Sequence, residues 1–248
     1  DELGLDFDDK LIKRFHTSLK ISRVSPLTVL AGISGTGKSL LPQRYAEAMG
    51  IPFLKVPVQP RWDSPQDLLG FYNYLEKRYK ATDLARAMAY VDPQSRNLAH
   101  ISHPMSDRLL MVLMDEMNLA RIEYYFSEFL SRLENRPGPG VLSEEKLRPS
   151  RIEIDVPISE GKGISIYPGH NTVLDRGNAI RFDRPSEFTD RIENDDASPA
   201  TEFLSFDTWK SWYRSSLPDS QNTLLKELVE ELESYLVELG RPFGHRIF

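Results

Sequence analysis

Cysteine is absent from the 248-residue chain. That absence excludes disulfides, thiolate metal sites and cysteine nucleophiles, and it leaves zinc without its usual sulfur ligands. No apolar run approaches the ~20 residues that a membrane-spanning helix needs, so no membrane partner is expected. Basic excess is lacking too: 31 Lys and Arg stand against 37 Asp and Glu, a formal net charge of −6. No domain-wide positive field therefore points to nucleic acid, although a ring-shaped assembly would still gather Lys and Arg in a central channel. The opening residues Asp1-Glu2-Leu3-Gly4-Leu5-Asp6 carry acid where a signal or transit peptide carries base, which predicts a cytoplasmic chain. Internal repeats and low-complexity tracts are also missing.

What is present is a core-forming composition, 40% hydrophobic, in a chain long enough for one large α/β domain with a smaller appendage. The stretch Gly32-Ile33-Ser34-Gly35-Thr36-Gly37-Lys38-Ser39 fits G-x-x-x-x-G-K-[ST] without a mismatch. Leu27 to Ala31 before it reads as a buried strand, and Leu40 to Met49 after it as a helix. Glycines let such a backbone curl until its N–H groups surround a β-phosphate. Lys38 then reaches the β/γ oxygens and the Ser39 hydroxyl ligates Mg²⁺. Gly32, Ser34, Gly35, Thr36, Gly37, Lys38, Ser39 and Leu40 are the expected nucleotide contacts. A second diagnostic run, Leu109 to Met114, is uninterruptedly apolar and ends in Asp115-Glu116, as a buried parallel strand does. At the carboxyl end of that strand, Asp115 is placed to hold Mg²⁺ and Glu116 to polarise the attacking water.

Around these two motifs the chain reads in order. A helix from Asp8 to Ser22 carries Leu11, Ile12, Phe15 and Leu19 on one stripe. A second strand covers Pro52 to Val58. An aromatic and basic insertion follows near residues 59–80, with a short helix capped by Ser64, Pro65 at its first position and Asp67 at its third. Helices are expected over Thr82 to Val91 and Glu123 to Leu133, the aromatic stripe of the latter being core. A β-hairpin near 151–168 turns at Gly161 to Gly163, in a position to project into a pore, and Asn178 to Phe182 reads as the last strand. The α/β domain is thus placed at 1–185. Residues 186–248 read as a helical lid, short of its last helix, whose main helix Asp219 to Leu239 ends at Gly240. Lys55, Arg61, Lys77 and Arg78 read as solvated surface, with channel charge the alternative.

These motifs resemble the AAA+ ATPases, in the branch of the McrB restriction subunits and the MoxR and dynein-related ATPases. Gly35-Thr36-Gly37-Lys38-Ser39 resembles that branch's G-T-G-K-[ST], and Ser64 to Gly70 its S-x-x-D-L-L-G. Asp115-Glu116-Met117-Asn118-Leu119-Ala120-Arg121 resembles its extended D-E-x-N segment, which adds Asn118 to the catalytic set. Val173-Leu174-Asp175-Arg176 resembles the L-D-R stretch whose arginine acts across a subunit interface, and Phe243-Gly244-His245-Arg246 resembles the G-x-R of the lid arginine called sensor 2. The resemblance implies a P-loop NTPase with a three-layer αβα parallel sheet and a helical lid, working as a homo-oligomeric, hexameric ring on ATP or GTP with Mg²⁺. It further implies a McrC-like nuclease partner, DNA in the channel and a role in restriction or antiviral defence. One departure stands out. The branch places a strand ending in a polar sensor 1 residue between the hairpin and L-D-R, whereas here only Tyr167 to Thr172 intervenes, shorter by roughly a five-residue strand and a loop. That strand is either lost or omitted from this sequence, and Asn171 is the remaining candidate. Competing readings are a MoxR-like chaperone, a non-hydrolysing nucleotide switch that remodels a protein partner, and a small-molecule P-loop kinase.

Overall fold

The computed structural model describes residues 7–21, 27–92, 107–135, 145, 148–154, 164–166, 178–182, 200–213 and 217–238. The chain divides into two compact units, Asp1–Trp209 and Lys210–Phe248. In order, the first unit runs α1 (Asp9–Lys20), β1 (Thr28–Gly32), α2 (Leu40–Met49), β2 (Phe53–Pro57), α3 (Pro65–Leu69), β3 (Gly70–Asn73), β4 (Arg78–Ala81), α4 (Asp83–Val91) and β5 (Met111–Asp115). It continues through α5 (Ile122–Tyr125), α6 (Ser127–Glu134), β6 (Ile152–Ile154), β7 (Ile164–Ile166) and β8 (Asn178–Phe182).

Helices start where the local chemistry supplies a cap. Asp8 accepts the Lys10 N–H at 3.0 Å to open α1, and α1 buries Phe15 and Leu19 of the expected stripe. Ser64 and Asp67 form a reciprocal capping box at α3, with Pro65 in the first turn. Thr82 caps α4 by accepting the Ala85 N–H at 3.2 Å. The helix expected over Glu123 to Leu133 is two short ones that meet at Phe126, and their aromatics are core as expected: Tyr125, Phe126 and Phe129 are fully buried. They join Val58, Leu68, Leu69, Leu84, Met88, Leu133 and Ile152 in one apolar cluster.

The architecture is α/β with parallel pairing. β1 runs parallel to β8, Thr28 beside Asn178 and Gly32 beside Phe182. β2 runs parallel to β5, Phe53 beside Met111 and Pro57 beside Asp115. Two antiparallel ribbons, β3 with β4 and β6 with β7, complete the sheets, and each sheet holds two strands among the described residues. One correction concerns burial. β1 is half exposed, Val29 at 42%, and Val112 to Met114 of β5 are only partly covered, where the apolar runs predict buried strands. The physical reason is the pairing: among the described residues no strand pairs with the second edge of either β1 or β5. A second correction concerns residues 59–80, which hold the short helix α3 and then a β-hairpin from Gly70 to Ala81. The arms of the second expected hairpin are β6 and β7; its turn at Gly161 to Gly163 lies outside the described residues, as do Asn171, Arg176, Gly240, Arg246 and the domain boundary expected near 185.

Below α4 the first unit buries an ion pair. Arg151 Nη2 lies 3.2 Å from Asp92 Oδ2, with side chains 7% and 1% exposed. Removing one member of such a pair strands a charge in low dielectric at a cost of about 3–5 kcal/mol. Asp92→Ala is therefore expected to lower the free energy of urea unfolding by about that amount. A loss below about 1 kcal/mol would show that the pair is solvated. In the second unit the helix Asp219–Glu238 buries nothing, and Leu224, Leu225, Leu228 and Leu232 are exposed. No described helix is long and apolar enough to cross a membrane.

Candidate functional site

The site is built where β1 and β5 end. β1 delivers the chain into the glycine-rich loop at Gly32, whose φ of +149° and tight approach to β8 leave no room for a side chain: a Cβ would fall 2.6 Å from the Phe182 carbonyl oxygen. At Gly37 φ is +83°, and a Cβ would meet the Phe7 ring at 2.9 Å. The loop then closes on itself. The Thr36 hydroxyl donates to the Ile33 carbonyl at 3.0 Å, and the Lys38 ammonium donates to the same carbonyl. The N–H groups of Leu40 and Leu41 donate to the Gly37 carbonyl at 3.0 and 2.9 Å and start α2. Among the described residues, the N–H groups from Gly35 to Ser39 donate to no backbone carbonyl outside helices and strands. These N–H groups and the positive end of α2 are donors of the kind that suits an anion.

Ser39 stands at the helix start, yet its hydroxyl makes no cap; it donates instead to Asp115 Oδ1 at 2.8 Å. This bond joins residues 76 positions apart in sequence, and so brings the two motifs into one site. The other carboxylate oxygen, Asp115 Oδ2, is 2.7 Å from Lys55 Nζ on β2. Burial pushes the Asp115 pKa up, but hydrogen bonds from Lys55 and Ser39, the Lys55 charge and the Glu116 N–H outweigh it, and the carboxyl sits below its ordinary value. Asp115 therefore stays ionised at neutral pH.

Glu116 follows in the left-handed region, φ 56° and ψ 44°, a conformation that costs a non-glycine residue about 1 kcal/mol or more and that gathers at functional sites. The turn throws its side chain out of the strand direction and into solvent. Asn118 lies in the single 3-10 turn Met117–Leu119 and is exposed. Tyr125, fully buried, donates its hydroxyl to the Met117 carbonyl at 3.2 Å and ties this turn to the core. Sequence reading placed Tyr125 in the core but missed that anchoring role, and it placed Lys55 on the solvated surface. The signal for Lys55 was a lone cation inside an apolar strand next to the one ending in Asp115.

The donor set bears on metal choice. Among the described residues no group of three or more His, Cys, Asp or Glu could cage an ion, so a site depending wholly on protein ligands is not offered here. One hydroxyl and one carboxylate, both hard oxygens, suit Mg²⁺, which keeps several waters and takes its remaining ligands from substrate phosphates. The residues present fit that ion. No family model, curated protein or solved structure matches this chain.

Proposed function

We propose that the chain is a nucleoside triphosphatase, an AAA+ motor subunit of the McrB-like kind with a P-loop core and a C-terminal lid, which binds ATP or GTP with Mg²⁺. The observation that carries this reading is the Ser39–Asp115 hydrogen bond of 2.8 Å, because it sets the hydroxyl that ends the glycine-rich loop against the acid that ends a parallel strand. Each residue then has a task. The loop N–H groups and Lys38 hold the β- and γ-phosphates, Ser39 and Asp115 hold Mg²⁺, and Glu116 accepts a proton from the attacking water. When bound, Mg²⁺ supplies charge neutralisation between the β- and γ-phosphates. Asn118, two residues further on, orients groups around that water.

Ring formation, a McrC-like nuclease partner, DNA in the channel, a cytoplasmic setting and a role in defence are part of the same proposal and rest on the resemblance. Glu116→Gln tests the hydrolytic part. It is expected to keep nucleotide and Mg²⁺ affinity while slowing phosphate release by about 10²-fold or more, since only proton acceptance is removed. Near-normal turnover in that variant would assign the base role to another residue.

A further inference from the structure

We infer that Lys55 is a built-in counter-cation for Asp115, one that competes with the divalent metal for that carboxylate and so sets the metal dependence of nucleotide binding. The inference deepens the proposed function and rests on it. Lys55 Nζ sits 2.7 Å from Asp115 Oδ2 while the Ser39 hydroxyl takes Oδ1 at 2.8 Å, so both carboxylate oxygens are engaged.

The placement is dictated by register. β2 and β5 run parallel with Lys55 beside Leu113 and Pro57 beside Asp115. Residues two apart on neighbouring strands share one face, and a four-carbon stem spans that diagonal easily. The Lys55 side chain is 48% exposed and the Asp115 side chain 22%, so the ammonium approaches from the solvent side and has water to swing into. A divalent ion taking Asp115 as a ligand must draw electron density from the same carboxylate and would stand within a few ångströms of a like charge. Lys55 is thus a positioning residue: it holds the Asp115 carboxylate with one oxygen toward Ser39, then yields when metal arrives with the phosphates. Two consequences follow. Lys55 weakens the metal's hold on the site, and in metal-free solution it shields the nucleotide from the Asp115 charge.

The test measures affinity for a non-hydrolysable triphosphate analogue across a Mg²⁺ titration and in EDTA, for wild type, Lys55→Met and Lys55→Arg. Lys55→Met is expected to lower the half-saturating Mg²⁺ concentration by about fivefold, the scale of a partly exposed ion pair. It should also widen the ratio of EDTA to Mg²⁺ dissociation constants by a similar factor. Lys55→Arg, which keeps the charge, should track wild type in both. Unchanged metal dependence in Lys55→Met, a higher Mg²⁺ requirement, or equal changes in Lys55→Met and Lys55→Arg would each overturn the inference while leaving the nucleotide site standing. Failure of folded wild type to bind the analogue under either condition would instead overturn the nucleotide reading and this inference with it.

Discussion

Lys38→Ala is expected to lose nucleotide binding while the chain stays folded. Among the described residues its ammonium donates to one acceptor, the Ile33 carbonyl within the same loop, a local bond that can be exchanged for phosphate oxygens. Removing it would take from the loop its one cationic side chain, leaving the phosphate charge beside the charges of Asp115 and Glu116 without that direct partner. Truncating one partner of a desolvated charge pair costs about 2–5 kcal/mol, so affinity should fall by at least ~30-fold and by up to several thousand-fold. Fluorescent-nucleotide titration, with circular dichroism as the folding control, reads this directly. Unchanged affinity would remove the glycine-rich loop from the binding site.

Arg176→Ala carries the largest expected effect on rate. On the L-D-R resemblance its guanidinium stabilises charge on the γ-phosphate held by a neighbouring subunit, and arginine fingers are worth about 10³–10⁵ in rate. Hydrolysis should fall by that factor with little loss of affinity. Arg176 lies outside the described residues. Mixing decides the matter. Arg176→Ala subunits keep an intact loop, Lys38→Ala subunits keep an intact finger, and each is inactive alone. Mixed rings should recover activity at interfaces that pair the two intact halves. Rings shown to be mixed and still inactive would count against action across the interface.

Much of this was legible in the sequence, for reasons that differ by element. α2 was readable over Leu40–Met49 because the motif before it fixes where a helix must start and Gly50 fixes where it must stop. α3 was readable from its capping box. The hairpin from Gly70 to Ala81 was not, because its turn lacks the usual glycine: Lys77 takes a φ of +50°, and the Asn73 side chain instead accepts the N–H groups of Leu75 and Glu76 at 3.0 and 3.1 Å. An Asn in that position was the available cue. The run from Leu109 to Met114 announced a strand correctly, but its burial depends on what pairs with its second edge, and no local pattern encodes that.

At the site itself, Ser39 and Asp115 were each legible from their motifs, since the chemistry of phosphate and Mg²⁺ restricts which residues serve. Lys55 was not, because its partner is set by register between β2 and β5 and not by any spacing along the chain. Glu116 was legible as an acid and illegible as a left-handed residue, since positive φ at a non-glycine position is imposed by the turn that Tyr125 anchors.

The proposed function requires that the loop and Asp115 together bind a nucleoside triphosphate. Equilibrium dialysis of the folded wild-type chain against labelled ATP and GTP, with Mg²⁺ and with EDTA, measures this without relying on turnover or assembly. Stoichiometric binding of at least one triphosphate, stronger in Mg²⁺ than in EDTA, is the predicted result. Binding of neither nucleotide under either condition would contradict it.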